Sequence, residues 1–283
     1  MTENITELSQ LRRLLEVWRR DGLRVGLVPT MGNLHAGHFS LVRQIRERVD
    51  RVVVSIFVNP TQFGAHEDFG CYPRTPEADV AGLVQQGCEA AWMPSIETMY
   101  PFGIEQAVRM HLPGISDILE GALRPGHFDG VCSVVTRLLH QVRPDVAAFG
   151  RKDYQQLAVI RRMVDDMAIP VEILAGDIVR EDNGLAMSSR NQYLSAEERE
   201  RATGIFHSLC GMRDAAMAGM DSTEVESAAQ RSLHHAGFGI DYAALRKPDL
   251  TVPEAGESGP RVALIAARLG NTRLIDNLEF SIC

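Results

Sequence analysis

The chain has 283 residues, of which 45% are hydrophobic and 23% charged, a composition typical of folded globular proteins and unlike that of a disordered chain. This length corresponds to about two domains or one large one. A formal net charge of -8 argues against non-specific nucleic-acid binding but allows a small anionic substrate in a locally positive pocket. The five cysteines are widely spaced and form no C-x-x-C pair, so we expect reduced thiols in a cytoplasmic protein.

Lysine is rare in this chain. Of the 29 lysines and arginines, only Lys152 and Lys247 are lysine. Both follow an arginine rather than a glycine, so neither belongs to a Walker-A loop. The segment Gly237-Phe238-Gly239 continues as Ile-Asp-Tyr and therefore lacks the G-x-G-x-x-G fingerprint of dinucleotide-binding folds.

The first predicted element is an amphipathic helix between Leu8 and Arg20, with leucines and a tryptophan on one face and arginines elsewhere. An arginine-rich helix of this kind also resembles a transit peptide, but Glu3, Glu7 and Glu16 are more acidic residues than a transit peptide carries. We therefore expect a folded first helix, and neither a signal peptide nor a membrane-spanning segment.

Buried strands and amphipathic helices then alternate along the chain. Short apolar runs predict strands at Arg24–Pro29, Val52–Val58, Ala90–Met93, Val146–Phe149 and Val171–Leu174. Helical periodicity predicts helices at His38–Val49, Pro76–Gly87, Gly130–Val142 and Tyr154–Met167. This alternation predicts an α/β fold with a doubly wound parallel sheet, a Rossmann-like domain over residues 1–178 with ligands at the carboxyl ends of its strands.

The pattern changes near residue 179. Two long helical patterns, Ala196–Met217 and Thr223–Ala236, precede strands at Tyr242–Arg246 and Arg261–Leu269. Helices followed by strands predict a smaller α+β C-terminal domain over residues 179–283.

The first segment with a chemical signature is Pro29–His38 (PTMGNLHAGH), directly after the first buried strand. Gly32 and Gly37 permit tight turns, and the following helix begins with unpaired N–H groups and a positive dipole end. Together with the imidazoles of His35 and His38, this turn is suited to nucleotide phosphates. The alternatives are two surface histidines in a loop, or a zinc site, for which two histidines without further ligands are weak evidence.

Two later strand ends also carry polar side chains. Asn59 and Gln62 follow the strand at Val52–Val58 and can bind hydroxyls or a carboxylate without adding charge, although Asn-Pro is also common in ordinary turns. Lys152 follows Val146–Phe149, where a compact, movable ammonium suits phosphate binding, and the alternative is a solvated lysine. Gln156 falls in the first turn of the next helix, and Asp153 could simply cap that helix.

A fourth segment, Met187–Asn191, follows Val179 and Arg180 near the predicted domain boundary. Its two hydroxyls and one guanidinium can clamp phosphates, or it is a serine-rich turn that caps the next helix. The loops Tyr72–Thr75 and Arg124–Phe128 are rich in glycine and proline, and each is either a lid or purely structural.

Taken together, these segments resemble the pantothenate synthetase (pantoate–β-alanine ligase) family of the H-x-G-H nucleotidyltransferase superfamily. The resemblance covers essentially the whole chain. It rests on PTMGNLHAGH, VSIFVNPTQF, YPRT, RPGHF, FGRKDYQQL, MSSRNQYL and LIDN, in that order.

The resemblance implies that ATP and pantoate give pantoyl-adenylate and pyrophosphate, and that β-alanine then displaces AMP to form pantothenate. It also implies a homodimer that binds these small molecules but neither nucleic acid nor membranes, with the C-terminal domain as a lid. Mg²⁺ is expected to bridge the ATP phosphates. Glu77, Ala78 and Asp79 follow the YPRT loop, and the alanine among them leaves no metal ligand assigned on the protein.

The same resemblance implies roles for individual residues. His38 would be a proton donor, while Lys152, Ser188 and Arg190 would stabilise the transferring phosphate. Gln62 and Gln156 would bind pantoate, and Gln62 would also contact β-alanine. The implied ATP-binding residues are Thr30, Met31, Gly32, Asn33, Leu34, His35, Ala36, Gly37, Gly150, Arg151, Lys152, Asp153, Val179, Met187, Ser188, Ser189 and Arg190.

Three other functions compete with this interpretation. Another adenylyltransferase of the superfamily would use the same H-x-G-H turn but would not depend on pantoate and β-alanine. A tRNA synthetase has a similar signature loop, although this acidic chain leaves little room for an anticodon-binding domain. A nucleotide-binding module without catalytic activity would bind ATP but not turn it over.

Overall fold

The structure, a computed structural model, describes residues 2–64, 67 and 69–282 of the chain. It divides into two compact units, one formed by Met1–Arg151 and Gln155–Asp177 and the other by Lys152–Tyr154 and Ile178–Cys283. The described cysteines, Cys71, Cys88, Cys132 and Cys210, are not in disulfides, and Cys283 lies outside the described residues.

The first unit contains a six-stranded parallel sheet. Its strands in chain order are β1 (Glu3–Ile5), β2 (Val25–Thr30), β3 (Arg51–Ile56), β4 (Ala90–Trp92), β5 (Val146–Gly150) and β6 (Glu172–Gly176). Their order across the sheet is β1-β4-β3-β2-β5-β6, and each described pair is parallel. This confirms the predicted doubly wound sheet. Strand β1 was not predicted because, of its three residues, only Ile5 is buried.

Helices cover both faces of this sheet. In chain order they are α1 (Leu8–Arg20), α2 (Ala36–Arg46), α3 (Pro76–Gln85), α4 (Ile96–Met99), α5 (Glu120–Leu123), α6 (His127–Val142) and α7 (Tyr154–Asp166). Side chains of β2 alternate between two cores, because Leu27 packs with α1, α6 and α7 whereas Val28 packs with α2 and α3. Burial on both faces explains why the strands are continuous apolar runs in the sequence.

The second unit packs helices on an antiparallel sheet. Its elements are α8 (Ala196–Ala202), α9 (Gly204–Met217), α10 (Ser222–His235), β7 (Gly239–Arg246), β8 (Gly259–Leu269) and β9 (Thr272–Ile282). The strands pair in the order β7-β8-β9. Its core joins Leu209 and Val225 of the helices to Ile265 of the sheet. This confirms the predicted smaller α+β fold.

One predicted helix in this unit was wrong, and one strand was not predicted. The single helix predicted over Ala196–Met217 is interrupted at Thr203, whose hydroxyl donates to the carbonyl of Glu200 at 2.7 Å and thereby competes with the regular helical pattern. Strand β9 was not predicted because it contains buried polar residues, Asp276 and Asn277, which break the apolar alternation.

Candidate active site

The order of strands brings two loops to the same edge of the first sheet. Strand β2 lies between β3 and β5, and the chain proceeds to β3 on one side before it returns to β5 on the other. Such a reversal opens a crevice at the carboxyl ends of the two central strands. The segment from Met31 to His35 leaves β2 at this edge, and Gly150 ends β5 there.

The turn after β2 is held by a buried carboxylate. Asp79 of α3 is 2% exposed, and its two oxygens accept the backbone N–H groups of Asn33 at 2.9 Å and Leu34 at 2.7 Å. Gly32 has φ +83°, and a Cβ there would stand 3.0 Å from Asp79 Oδ2, so this position requires glycine. The hydroxyl of Thr30 donates to the carbonyl of Ser55 at 2.7 Å. These contacts fix the backbone that carries the two histidines.

The two histidines cap the start of α2 reciprocally. His35 Nδ1 accepts the N–H of Gly37 at 3.2 Å, and His38 Nδ1 accepts the N–H of His35 at 3.3 Å. Because both Nδ1 atoms act as acceptors, each neutral ring carries its proton on Nε2. The ring centroids lie 4.1 Å apart. The turn therefore presents two neighbouring Nε2–H donors beside a helix N-terminus.

Gln62 lies next to this turn. It ends the short 3₁₀ helix Pro60–Gln62 after β3 and is 8% exposed. Asn59 donates Nδ2–H to Gln62 Oε1 at 3.1 Å, while Gln62 Nε2 lies 3.2 Å from the sulfur of Met31. The structure thus brings together Met31 and Gln62, two predicted site residues from different loops.

Asn59 itself is buried and fully engaged. It is 1% exposed, its Nδ2 also donates to the carbonyl of Gly130 at 3.1 Å, and its Oδ1 accepts the hydroxyl of Tyr100 at 2.6 Å. The sequence suggested that Asn59 could bind a ligand directly. Its burial and its partners instead make it the residue that orients Gln62.

The loop at Arg124–Phe128 contacts the backbone of Gln62. His127 Nδ1 lies 2.8 Å from the carbonyl of Gln62, and Arg124 donates to His127 Nε2 at 3.1 Å. Since the guanidinium can only donate, the proton of His127 is on Nδ1 and is donated to Gln62. Burial, together with the charge of Arg124, lowers the pKa of His127 to about 4, so this ring is neutral at physiological pH.

Arg124 is in turn held by Glu67. Its Nε and Nη2 donate to the two carboxylate oxygens at 2.5 and 2.7 Å, which is a bidentate pair. Burial acts to raise the pKa of Glu67, but the hydrogen bonds and charge of Arg124 outweigh it and the pKa lies below its usual value. The pair is therefore ionised near neutral pH and fixes the guanidinium beside His127.

Adjacent glutamines at the start of α7 have different environments. Gln155 is 3% exposed, donates to the carbonyls of Ile115 and Ile118, both at 2.8 Å, and accepts the N–H of Glu120 at 3.0 Å. Gln156, the predicted pantoate-binding residue, is half-buried. The polar atoms of Gln155 are used in holding the segment before α5, and the binding of pantoate by Gln156 stays a prediction.

The remaining predicted site residues belong to the second unit, apart from Gly150 and Arg151. Val179 and Met187 face each other across a hairpin, in which the Met187 N–H donates to the Val179 carbonyl at 2.9 Å. Ser188 caps the 3₁₀ helix Ser189–Tyr193 by accepting the N–H of Arg190 at 3.2 Å. Both the phosphate-clamp and the helix-cap interpretations of this segment are compatible with that geometry.

Asn191 fastens this 3₁₀ helix to the hairpin. Its Nδ2 donates to Glu181 Oε1 at 3.0 Å and to the carbonyl of Ala186 at 3.1 Å. Burial acts to raise the pKa of Glu181, but hydrogen bonds from Arg199 and Asn191 lower it below its usual value. The backbone carrying Ser188 and Arg190 is therefore anchored by an ionised network in which Asn191 is buried and Arg199 is exposed.

Lys152 is held by strand β9. Its carbonyl accepts the side-chain N–H of Asn277 at 2.9 Å, and the neighbouring Asp276 forms a bidentate pair with Arg180 at 2.6 and 3.1 Å. Asp276 and Asn277 belong to the LIDN segment near the C-terminus. Sequence reasoning included this segment in the resemblance but assigned its residues no role.

Within the described residues, no group of three or more His, Cys, Asp or Glu side chains is placed to hold a metal ion. Asp79, which follows the YPRT loop, uses both carboxylate oxygens on backbone N–H groups. None of the described helices combines the length and the hydropathy needed to cross a bilayer.

Comparison with known proteins decides the family. The sequence profile described as Pantoate-beta-alanine ligase matches residues 3–279. A pantothenate synthetase of Xanthomonas oryzae pv. oryzae is 63% identical over 280 residues, which are 99% of this chain and 100% of the relative. The chain belongs to the pantoate–β-alanine ligase family. The predicted resemblance is thus confirmed, and the chain is a ligase of this type.

Solved structures agree with this assignment. A pantothenate synthetase from Thermus thermophilus has a TM-score of 0.90 at 42% identity, with 98% of this chain and 99% of that chain covered. A pantoate–β-alanine ligase from Francisella tularensis, complexed with "Beta-gamma ATP" and β-alanine, has a TM-score of 0.83 at 30% identity and covers 98% of this chain and 97% of its own. The competing adenylyltransferase and tRNA synthetase interpretations were therefore wrong.

Proposed function

We propose that this ligase condenses pantoate with β-alanine in two steps that consume ATP. In the first, a carboxylate oxygen of pantoate bonds to the α-phosphorus of ATP, the bond to the bridging oxygen breaks, and pyrophosphate leaves with the electron pair. In the second, the amine of β-alanine attacks the acyl carbon of pantoyl-adenylate, AMP leaves, and the nitrogen loses a proton. The products are pantothenate, AMP and pyrophosphate.

The observation that carries this proposal is the reciprocal capping of α2 by His35 and His38, which places the proton of each neutral ring on Nε2. The two histidines lie at the carboxyl end of β2, where Rossmann-like sheets bind nucleotides, beside the N-terminus of α2. Attack on the α-phosphorus builds negative charge on the oxygen that leaves, and a donor already held in place stabilises that charge without reorganisation. We assign this donation to His38 Nε2–H.

The turn Thr30–Gly37 and the strand end at Gly150 and Arg151 are proposed to bind ATP. In the second unit, the residues proposed to bind ATP are Lys152, Asp153, Val179 and Met187–Arg190. Lys152, Ser188 and Arg190 would stabilise the transferring phosphate, because phosphoryl transfer is catalysed mainly by positioning and charge stabilisation. The Val179 carbonyl already accepts the Met187 N–H, so adenine recognition at Val179 would use its N–H.

Gln62 and Gln156 are proposed to bind pantoate. With its oxygen held by Asn59, Gln62 offers Nε2–H to a hydroxyl or carboxylate oxygen. A neutral donor suits this position because it leaves the carboxylate nucleophilic, whereas a cation would lower its reactivity. Gln62 would also contact the incoming β-alanine. The ATP and β-alanine named for the Francisella relative support this substrate set.

We also propose that Mg²⁺ enters bound to the ATP phosphates, since Asp79 is engaged with backbone amides. The ion would neutralise phosphate charge, and the roles given above to the side chains do not depend on a protein ligand for it. A homodimer in the cytoplasm is part of the same proposal and rests on the family resemblance.

Isotope transfer tests the two steps. Pantoate labelled with ¹⁸O in its carboxylate is incubated with ATP and β-alanine, and the products are analysed by mass spectrometry. An adenylate intermediate places one ¹⁸O in each AMP released, because the bond made to phosphorus survives attack at the acyl carbon. Label in inorganic phosphate, with ADP as the second product, would instead indicate an acyl-phosphate route. AMP release that does not require both pantoate and β-alanine would also overturn the proposal.

A further inference from the structure

The main chain at Lys152 is anchored by a distant, buried side chain. Asn277 is 2% exposed and donates Nδ2–H to the Lys152 carbonyl at 2.9 Å, across 125 positions of sequence. Although Lys152 follows strand β5 of the first unit, Lys152–Tyr154 belongs to the second unit. The hydroxyl of Tyr154 points to the Pro248 carbonyl at 3.4 Å, so this segment has a second contact within the same unit.

Asn277 is itself fixed on both sides of its peptide. Its N–H donates to Asp276 Oδ1 at 2.8 Å, and its carbonyl accepts Arg180 Nη2 at 3.3 Å. Arg180 also forms the bidentate pair with Asp276 and lies over the ring of Phe206, with its central carbon 4.0 Å from the ring centroid. A guanidinium held by a carboxylate and an aromatic face has little freedom to move.

The charges of Arg180 and Lys152 both act on the carboxylate of Asp276. Asp276 is 5% exposed, and burial raises its pKa, while Arg180 and, more weakly, Lys152 act to lower it. The ammonium of Lys152 is therefore within electrostatic reach of the Asp276 carboxylate. A lysine has a flexible four-carbon stem, so the position of its main chain sets the volume that its ammonium can explore.

We propose that Asn277 is a positioning residue, which fixes the main chain of Lys152 so that its ammonium meets the transferring phosphate. Asp276 and Arg180 hold Asn277 in turn. This inference rests on the proposed function, because it assigns Lys152 to the first step. The competing explanation is that Asn277 only stabilises the fold of β9.

A double-mutant cycle separates these explanations. Pyrophosphate release from ATP and pantoate is measured in single turnover, without β-alanine, for the wild type, Asn277→Ala, Lys152→Ala and the double variant. We expect Asn277→Ala to lower the rate about ten- to a hundred-fold, with a much smaller change in the KM for ATP, since small displacements of catalytic groups cost this much. In the Lys152→Ala background the same substitution should have no further effect, because the group that it positions is absent.

A purely structural role predicts a different result. Asn277→Ala would then lower the rate by the same factor in the wild type and in Lys152→Ala, or would lower it in neither. Either outcome would overturn the inference. If Asn277→Ala does not fold, Asn277→Ser keeps a donor on a shorter side chain and enters the same cycle. Asp241→Asn is the matched control, because it breaks the 2.6 Å ion pair with Arg273 in the same sheet and should leave the rate unchanged.

Failure of the proposed function is distinguishable from failure of this inference. A wild-type enzyme that releases no pyrophosphate from ATP and pantoate would overturn the adenylate mechanism itself. A wild-type enzyme that releases it normally, together with equal factors in the cycle, would leave the mechanism intact and remove only the role of Asn277.

Discussion

Asn59 donates its side-chain N–H to the side-chain oxygen of Gln62 at 3.1 Å, and this contact determines which end of the Gln62 amide is offered to a ligand. The opposite end, Nε2, lies beside the sulfur of Met31 at 3.2 Å. Asn59 cannot turn its own amide around without loss, because its oxygen accepts the hydroxyl of Tyr100. Asn59, which does not itself contact the substrate in this proposal, therefore determines that Gln62 offers a donor rather than an acceptor to pantoate.

Asn59→Asp should impair use of pantoate. The substitution is nearly isosteric but removes the donor to Gln62 Oε1, so the Gln62 amide rotates and offers its oxygen instead of its N–H. We expect kcat/KM for pantoate to fall by about 10²-fold, the cost of a misplaced contact in an active site. Steady-state kinetics with varied pantoate measure this, and the KM for ATP serves as the internal reference. An unchanged kcat/KM for pantoate would show that Asn59 does not orient Gln62.

Gly130→Ala should destabilise the first unit. Helix α6 approaches the turn at Gln62 so closely that a Cβ on Gly130 would stand 2.2 Å from the carbonyl oxygen of Thr61, and backbone atoms have to move to admit it. Overpacking of this kind costs about 1–3 kcal/mol in the free energy of unfolding. Urea denaturation followed by circular dichroism gives the value, and pantoate binding should weaken in the same variant.

Gly211→Ala provides the matched control. Gly211 is an exposed residue within helix α9, and a Cβ there has no heavy atom within 4 Å. The same substitution should therefore stabilise the protein by about 0.5–1 kcal/mol, through the higher helix propensity of alanine. If both variants lost stability equally, the effect at Gly130 would not come from its contact with Thr61.

Local patterns predicted most of the fold. Continuous apolar runs such as Val52–Val58 indicate buried strands, and polar residues at the strand ends indicate where ligands bind, because one edge of a parallel sheet collects those ends. The motif resemblance then supplied the proposed roles of His38, Lys152 and Gln62. Neither source indicated what holds these residues in place.

The supporting residues were missed because their contacts are distant in sequence. Asp79 is 46 positions from Asn33, His127 is 65 from Gln62, and Asn277 is 125 from Lys152. In a single sequence, each looks like an ordinary polar residue of a helix or strand. The available signals were the motifs YPRT, RPGHF and LIDN, which contain or precede these residues but did not indicate which side chains they hold in place.

Stability should fall on mild acidification because of His127. In the folded protein its pKa is about 4, below the ordinary value near 6.5, so the unfolded state binds the proton more tightly. The contribution of His127 is fully present above pH 6.5 and is lost as the pH falls from about 6.5 to about 4, on the order of 3 kcal/mol in total. Unfolding free energies from urea titrations at several pH values across this window measure the slope.

His127→Gln isolates this contribution. Glutamine keeps an amide N–H that can reach the Gln62 carbonyl but has no group that titrates between about pH 4 and 6.5. The variant should show a shallower dependence of stability on pH than the wild type. His140→Gln replaces an exposed imidazole in the same helix and serves as the control for the substitution itself. Identical slopes for the wild type and His127→Gln would contradict the assignment to His127.

Two substitutions of His38 distinguish its two nitrogens. The oxygen of asparagine occupies nearly the position of Nδ1 and can still accept the N–H of His35, so His38→Asn preserves the start of α2 and deletes only the Nε2–H donor. The amide nitrogen of glutamine lies near the position of Nε2, so His38→Gln retains a donor toward the phosphates. We expect pyrophosphate release to fall about 10²–10³-fold in His38→Asn, the usual cost of losing one donor to a developing charge, and to fall much less in His38→Gln.

Single-turnover measurements with saturating ATP and pantoate compare the two variants, with the thermal midpoint as evidence that both are folded. If the order were reversed, the histidine would act through Nδ1 and the cap of α2, and the proton would have to reach the pyrophosphate from another group.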